Sequence, residues 1–114
     1  MEVFPTGASY RCFKYYAQAI NTGQFTLYDY GITKNKEVYG TEWAPLVPLE
    51  NYPDVPTVLL SGDVDKLATP LDVAWLSGQL GEKVVFEKEY HLDHGGFVLA
   101  NDMSFFSEDA LAQL

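Results

Sequence analysis

The side chains best suited to acid–base chemistry in this sequence lie in two short polar segments. The first contains Asp63 and Asp65, and the second contains both histidines of the chain, His91 and His94. A carboxylate can fix the tautomer of a neighbouring imidazole and stabilise its protonated form, while that imidazole takes a proton from an attacking group. These residue types therefore point to a carboxylate–imidazole pair of the kind used in nucleophilic catalysis.

A strand, a helix and a second strand are predicted around these segments. The apolar run 57–61 is typical of a strand buried on both faces. Thr69 and Pro70 have the pattern of a helix cap and a first helical position, and Gly81 marks the end of that helix. Residues 83–88 favour a second strand.

Strand, helix and strand within about thirty residues make a βαβ unit, whose two strands are parallel. Both strands then end at the same edge of the sheet, about 4.8 Å apart, where open α/β sheets hold their reactive groups. A carboxylate that follows the first strand can therefore reach an imidazole that follows the second. The predicted fold class is α/β, a βαβ unit with two parallel strands plus flanking helices.

The rest of the chain predicts a helix at each end and a long irregular connection. We expect the first helix over residues 10–21, begun by Ser9 and ended by Gly23, with an apolar face of Phe13, Tyr16, Ala17 and Ile20. Residues 24–56 lose periodicity but are rich in aromatic residues and prolines, which indicates a connection packed down by its rings. A short amphipathic helix is predicted from Ser107 onward.

These elements divide the chain into residues 1–56, a helix with its aromatic connection, and residues 57–114, the βαβ unit with its loops and terminal helix. The single cysteine, Cys12, cannot form an internal disulfide and is interpreted as a small core residue. The acids from Glu89 onward are interpreted as a solvated face.

At the two polar segments the sequence resembles a known family. It is similar to the acid lipases, the gastric and lysosomal lipase and steryl ester hydrolase family, around that family's triad aspartate. The pattern there is Gly62-x-x-Asp65-x-Leu67-Ala68-x-Pro70-x-Asp72-Val73. Residues 94–102, HGGFVLAND, resemble the family's His-Leu-Asp-Phe segment, and segments between Pro5 and Gly31 follow its C-terminal region.

The resemblance implies that residues 1–114 are an incomplete C-terminal part of an α/β-hydrolase domain. It implies hydrolysis of carboxylic esters of neutral lipids, triacylglycerols or steryl esters, with Asp65 as the triad carboxylate and His94 as the triad base. Such chemistry needs no metal and no organic cofactor. The resemblance also implies a secreted or lysosomal protein, although the acidic start at Met1–Thr6 is not the pattern expected of a signal peptide.

A second histidine competes for the role of base. His91 begins the tripeptide His91-Leu92-Asp93, which spells the family's local motif. His94 instead follows Asp65 by 29 residues, the family's interval without a gap, and keeps Phe97 in alignment. We therefore favour His94, with His91 as the alternative.

Two departures from the family pattern bear on activity. Gly95 and Gly96 replace bulkier residues after the histidine, which predicts a looser loop. None of the five serines lies in a Gly-x-Ser-x-Gly motif, so the nucleophile is not recognisable. We expect the chain to be inactive alone and to require a missing N-terminal hydrolase half or to self-associate. The alternative is a catalytically inactive truncated or pseudoenzyme interaction product.

Composition limits the other classes of partner. Seven basic and 16 acidic residues give a net charge of −9, and no basic residue follows Lys88, which argues against nucleic acid as a partner. A metal module built on His91, Asp93 and His94 is a weaker hypothesis, because the sequence has no further histidine to complete it.

Overall fold

The computed structural model describes residues 7–113, which cluster into two units, one up to Pro48 and one from Leu49 onward. The interpretation of Met1–Thr6 as a non-secretory start and the expected helical position of Leu114 lie outside these residues. The division into residues 1–56 and 57–114 stays a prediction. Within the part described, no helix is both long enough and apolar enough to span a bilayer.

The first unit begins with the predicted helix, α1, Tyr10–Thr22. The Ser9 hydroxyl oxygen accepts a hydrogen bond from the Arg11 N–H at 3.2 Å, which satisfies one free donor at the helix start. The helix ends at Gly23, whose φ of 61° lies in the left-handed region. The sequence signals for both ends are therefore confirmed.

The apolar face predicted for α1 is exposed. Phe13 and Ile20 are exposed, and the side chain that ties the helix to its unit is polar. Gln18 donates to the Thr26 hydroxyl and the Leu27 carbonyl, both at 2.8 Å, and accepts from the Asp29 N–H at 2.9 Å. One amide side chain thus organises the segment after the helix.

A second helix, α2, Ile32–Tyr39, lies inside the connection that was expected to be irregular. Its sequence has no apolar stripe, and Gly31 at its start offers no capping side chain. The fully buried Asn35 holds it instead, donating to Asp29 at 2.7 Å and to the Glu42 carbonyl at 3.0 Å. Because this support is a buried polar residue and not a periodic apolar face, the pattern missed the helix.

Aromatic rings pack the same connection. Tyr28 and Tyr30 lie edge to face with centroids 4.9 Å apart, and Tyr30 contacts Tyr39 at 6.0 Å. Tyr15 of α1 extends the row to Tyr28 at 6.2 Å. The predicted packing of the connection by its rings fits Tyr28, Tyr30 and Tyr39, with Tyr15 of α1 beside them. Trp43 of the same connection is exposed.

The second unit contains the predicted βαβ arrangement. Strand β1, Thr57–Gly62, pairs in parallel with β2, Val84–Tyr90, and Gly62 lies opposite Tyr90 at the carboxyl edge. Helix α3, Pro70–Leu80, connects them, with Thr69 as its cap and Gly81 as its end. The predicted α/β class is confirmed at this level, a two-stranded parallel sheet with helices.

The side chains of β2 bond to different segments on its two faces. On one face the Ser77 hydroxyl of α3 donates to the Glu87 carboxylate. On the other, Lys88 and Tyr90 both contact Asp109 of the C-terminal segment. Alternate strand residues point to opposite faces, so the helix and the C-terminal segment each contact a different face of the strand.

The predicted amphipathic helix from Ser107 is wrong in its start and its geometry. Helix α4, Gly96–Leu99, is a single turn after β2. The C-terminal segment then forms wide π-helical turns over Phe105–Ala110 and tight turns over Leu111–Gln113. Asp109 is not a solvated charge, as sequence suggested, because it pairs with Lys88 at 2.6 Å.

Buried apolar residues are few. Among residues 7–113, the buried apolar residues are Leu80 and Phe105, each with 7% of its surface exposed. Val73 and Leu76 lie on the same side of α3 as Leu80 and are half-buried. Cys12 is exposed on α1, so its interpretation as a core residue is wrong. Its helix faces the unit through Gln18 and leaves the thiol outside.

Candidate active site

The candidate site lies where the two strands end. The Asp63 N–H donates to the Tyr90 carbonyl at 2.9 Å, the last backbone bond that joins the two chain segments at this edge. Beyond it, the β1 loop carries Asp63 and Asp65, and the β2 loop carries His91 and His94. The parallel register therefore brings all four side chains to one edge, as the βαβ pattern indicates.

A glycine sets how closely the two loops approach. A Cβ atom built on Gly62 would lie 2.1 Å from the Leu92 carbonyl oxygen and 3.4 Å from the Phe97 ring. Only a residue without a side chain permits this contact between backbones. Gly62 thus fixes the β2 loop against the end of β1.

Asp65 is the buried carboxylate of the site, with only 3% of its side chain exposed. Its Oδ1 accepts hydrogen bonds from the backbone N–H groups of Leu67 at 2.8 Å and Ala68 at 3.0 Å. Its Oδ2 lies 3.0 Å from Nδ1 of His94. Every described partner of this carboxyl group is a donor, so the arrangement suits its ionised form.

The pKa of Asp65 reflects a balance of opposite effects. Burial acts to raise the pKa, but the N–H groups of Leu67 and Ala68 and the ring of His94 outweigh it, and the pKa lies below its ordinary value of 3.8. Asp65 is therefore ionised at neutral pH and can only accept hydrogen bonds.

His94 presents its ring outward from this carboxylate. Because Asp65 only accepts, Nδ1 of His94 carries the proton of this hydrogen bond, which leaves the lone pair of the neutral ring on Nε2. The side chain is 62% exposed, and Nε2 has no hydrogen-bond partner among residues 7–113. We call Asp65 and His94 the dyad; its geometry gives a base directed at solvent.

His91 is paired with a different carboxylate. Its Nδ1 lies 3.0 Å from both carboxylate oxygens of Asp63, and 83% of its side chain is exposed. The hydrogen bond to Asp63 and the charge of that carboxylate raise the pKa of His91 above its ordinary value of 6.5. We call His91 and Asp63 the outer pair, which the sequence did not predict.

The two glycines after His94 lie in an ordered turn. The Gly96 N–H donates to the Asp93 carboxylate at 2.8 Å and to the Asp93 carbonyl at 3.0 Å. A Cβ on Gly96 would lie 3.0 Å from the Leu92 side chain. The looser loop stays a prediction. At Gly96 the backbone lies close to the Leu92 side chain, which leaves little room for a Cβ atom.

An aromatic cluster behind the dyad was not foreseen from the sequence. Phe97 and Phe105 lie edge to face with centroids 5.2 Å apart, and Tyr90 contacts them at 6.4 and 5.7 Å respectively. Burial, followed by the hydrogen bond to Asp109, raises the pKa of Tyr90 to about 12. The rings pack the β2 loop against the C-terminal segment. Because its pKa is raised, the Tyr90 phenol is neutral and donates a hydrogen bond to Asp109.

Within the part of the chain that the structure describes, no three histidine, cysteine or acidic side chains converge as metal ligands. His91 and His94 point to Asp63 and Asp65 instead of to one common point. No serine of residues 7–113 hydrogen-bonds to His94; Ser61, the serine nearest in sequence to Asp65, is buried at the end of β1.

Comparison with known proteins gives consistent relatives. No protein-family model matches the chain. The chain is 31% identical over 100 residues to Lipase member K of Homo sapiens, covering 86% of this chain and 25% of that protein. It is 30% identical over 110 residues to Tear acid lipase-like protein of Mesocricetus auratus, covering 95% and 27%. For Lipase member N of Mus musculus the values are 31% over 99 residues, 86% and 24%. The chain thus spans about a quarter of the length of these relatives.

Proposed function

Since the chain is related to the acid lipases, as its sequence indicates, we propose that it supplies the acid and base of an ester-hydrolysing serine triad. In this proposal it is the C-terminal part of an α/β-hydrolase fold, to which the βαβ unit contributes two strands and the dyad. The substrates are carboxylic esters of neutral lipids, triacylglycerols or steryl esters.

The observation that carries the proposal is the contact between Asp65 and His94. The carboxylate is buried and held by two backbone N–H groups, while the imidazole is exposed with Nε2 outward. This is the arrangement in which a carboxylate sets the tautomer and the imidazole meets a nucleophile. His91 meets Asp63 and lacks a buried partner, which favours His94 as the base.

The mechanism follows from this geometry. Nε2 of His94 takes the proton of a serine hydroxyl as its oxygen bonds to the ester carbonyl carbon. The protonated ring, stabilised by Asp65, then gives that proton to the departing alcohol as the carbon–oxygen ester bond breaks. Water repeats the sequence on the acyl-enzyme and releases the fatty acid.

The nucleophile comes from outside these 114 residues in this proposal. None of the five serines has the Gly-x-Ser-x-Gly setting, and the relatives are about three and a half times as long as the chain. The partner is therefore a polypeptide segment that carries the nucleophile and an oxyanion hole, and the chain alone does not turn over esters.

A second candidate function is a non-catalytic interaction product. The exposed apolar residues of α1, Tyr10, Phe13 and Ile20, favour it, because an uncovered apolar stripe marks a surface that a partner can bury.

The test places the dyad beside a nucleophile. In human Lipase member K the matching quarter is replaced by this chain, and the chimera is assayed with a long-chain ester and with a fluorophosphonate probe that labels activated serines. We expect hydrolysis and labelling. Asp65→Asn or His94→Ala should lower the hydrolysis rate by about 10³- to 10⁴-fold.

Asp54→Asn is the matched control, because Asp54 is an exposed carboxylate of the same chain away from the dyad. It should leave the rate unchanged. A chimera that unfolds cooperatively but neither hydrolyses ester nor takes the probe contradicts the proposal, and so does full activity in His94→Ala.

A further inference from the structure

The outer pair joins the same two loops that the dyad joins. Asp63 precedes Asp65 by two residues on the β1 loop, and His91 precedes His94 by three on the β2 loop. Both pairs span the loops at 3.0 Å, one beside the last backbone bond of the sheet and the other farther along the loops. The outer pair is the more exposed of the two pairs. Along both chain segments it comes after the sheet and before the dyad.

Besides the dyad and the steric contact of Leu92 with Gly62, few interactions join the two loops at this point in the described chain. After the Asp63 N–H bond to the Tyr90 carbonyl, the hydrogen bonds of Asp65 and Leu92 to backbone carbonyls stay within their own loops. The Leu92 backbone presses on Gly62 but does not bond to it. The hydrogen bond from His91 on the β2 loop to Asp63 on the β1 loop thus limits how far the two loops separate or slide past each other.

We propose that the outer pair is a positioning device, in which His91 and Asp63 hold the loops in the register that lets Asp65 contact His94. The inference rests on the proposed function, since the dyad is the base of the proposed triad. His91 does not touch substrate or nucleophile in it. It acts through the distance between Asp65 Oδ2 and His94 Nδ1, and its contact to both oxygens of Asp63 fixes that carboxylate.

The tautomer of His94 reports this distance directly. An imidazole free in water places its proton mainly on Nε2, whereas the Asp65 contact requires it on Nδ1. With two histidines in the chain, ¹⁵N spectra of the labelled 114-residue protein resolve both rings. The measurement is made at a pH where both are neutral and requires no ester hydrolysis.

We expect wild-type His94 in the Nδ1–H form and Asp65→Asn in the Nε2–H form. Asp63→Asn and His91→Gln should each lower the ratio of Nδ1–H to Nε2–H about two- to fivefold, the range for an exposed pair. The double variant should match either single variant, because the two residues act as one unit. Asp63→Glu, which keeps the charge, should restore part of the ratio.

Glu89→Gln is the matched control. It removes one negative charge near the end of β2, from a side chain with no hydrogen bond or ion pair to another residue in the described part of the chain. An unchanged ratio in Asp63→Asn overturns the positioning role, as does an equal change in Glu89→Gln, which would indicate charge alone.

The outcomes separate this inference from the proposed function. An Nε2–H ring in the wild-type protein, unaltered by Asp65→Asn, overturns both. The two experiments can also disagree. If Asp63→Asn changes the His94 tautomer in the 114-residue protein while the lipase chimera is inactive, the positioning role is supported and the ester-hydrolysing function is contradicted.

Discussion

Asp65 combines burial with ionisation, because two of its hydrogen bonds come from backbone N–H groups that cannot titrate. Leu67 and Ala68 belong to the turn that leads into α3, so the fold itself supplies the stabilising donors. A carboxylate held in this way stays charged when its imidazole partner loses its proton. The same turn that starts the helix therefore keeps the carboxyl group of Asp65 ionised.

The lowered pKa of Asp65 predicts how stability depends on pH. Its folded pKa lies below the ordinary 3.8, so its stabilisation is complete above that value and is lost as pH falls through the folded pKa. Urea midpoints measured from pH 6 to pH 2 should fall more steeply in the wild-type chain than in Asp65→Asn. Asp54→Asn should follow the wild-type slope; parallel slopes in all three proteins would contradict the assignment.

The sequence predicted the dyad but not its neighbours. The interval between Asp65 and His94 was readable because a family motif spans it and parallel strands bring both ends together. The pairing of His91 with Asp63 depends on loop paths beyond the last ladder bond, which no periodicity encodes. Asn35 is a similar case, since a buried amide that hydrogen-bonds to three groups outside its helix leaves no pattern in the sequence of that helix.

At the scale of elements, the end of β1 determines where the β2 loop lies. Gly62→Ala places a methyl group against the Leu92 carbonyl oxygen, so one backbone has to move. We expect a loss of about 1–3 kcal/mol in the free energy of unfolding, and a weakened contact between Asp65 and His94. Urea unfolding and the His94 tautomer measure the two effects.

Gly78→Ala is the matched control within the same unit. A Cβ on Gly78 meets no atom within 4 Å, and this glycine lies inside α3. Alanine there should raise the free energy of unfolding by up to about 1 kcal/mol. If Gly62→Ala is as stable as Gly78→Ala, the close approach does not constrain the loop.

The elements that sequence predicted well are those with strong local signals at their ends. The caps of α1 and α3 come from Ser9, Thr69 and the glycines that follow each helix. The face that a helix buries is set by its neighbours instead, which is why α1 contacts its unit through Gln18. The C-terminal segment likewise follows the positions of Lys88 and Tyr90 on β2.

At the scale of the whole molecule, exposed apolar surface is more prominent than buried core. Tyr10, Phe13 and Ile20 are exposed on α1, while Leu80 and Phe105 represent the buried apolar residues of the described chain. We propose self-association when no larger partner is present, because burying such a stripe is favourable. Relatives about three and a half times as long contain further chain beyond the matched quarter.

Sedimentation velocity over a hundredfold range of concentration tests this expectation. The wild-type chain should show a weight-average mass that rises with concentration, and Phe13→Gln should weaken the association about tenfold, as expected for one largely exposed ring that becomes buried. Lys34→Gln on α2 is the exposed control. A monomer at every concentration with a sharp unfolding transition would contradict self-association.

The dyad is complete in a chain that contains no serine beside it, and this has a thermodynamic consequence for assembly. The ordering of Asp65 and His94 belongs to the folding of residues 49–113 and not to the docking of a nucleophile. A partner that docks meets a preorganised base, so little of its binding free energy is consumed in arranging catalytic groups. Under the proposed function, the free energy of docking would then go into placing the nucleophile, and the pairing of Asp65 with His94 would be the same before and after assembly.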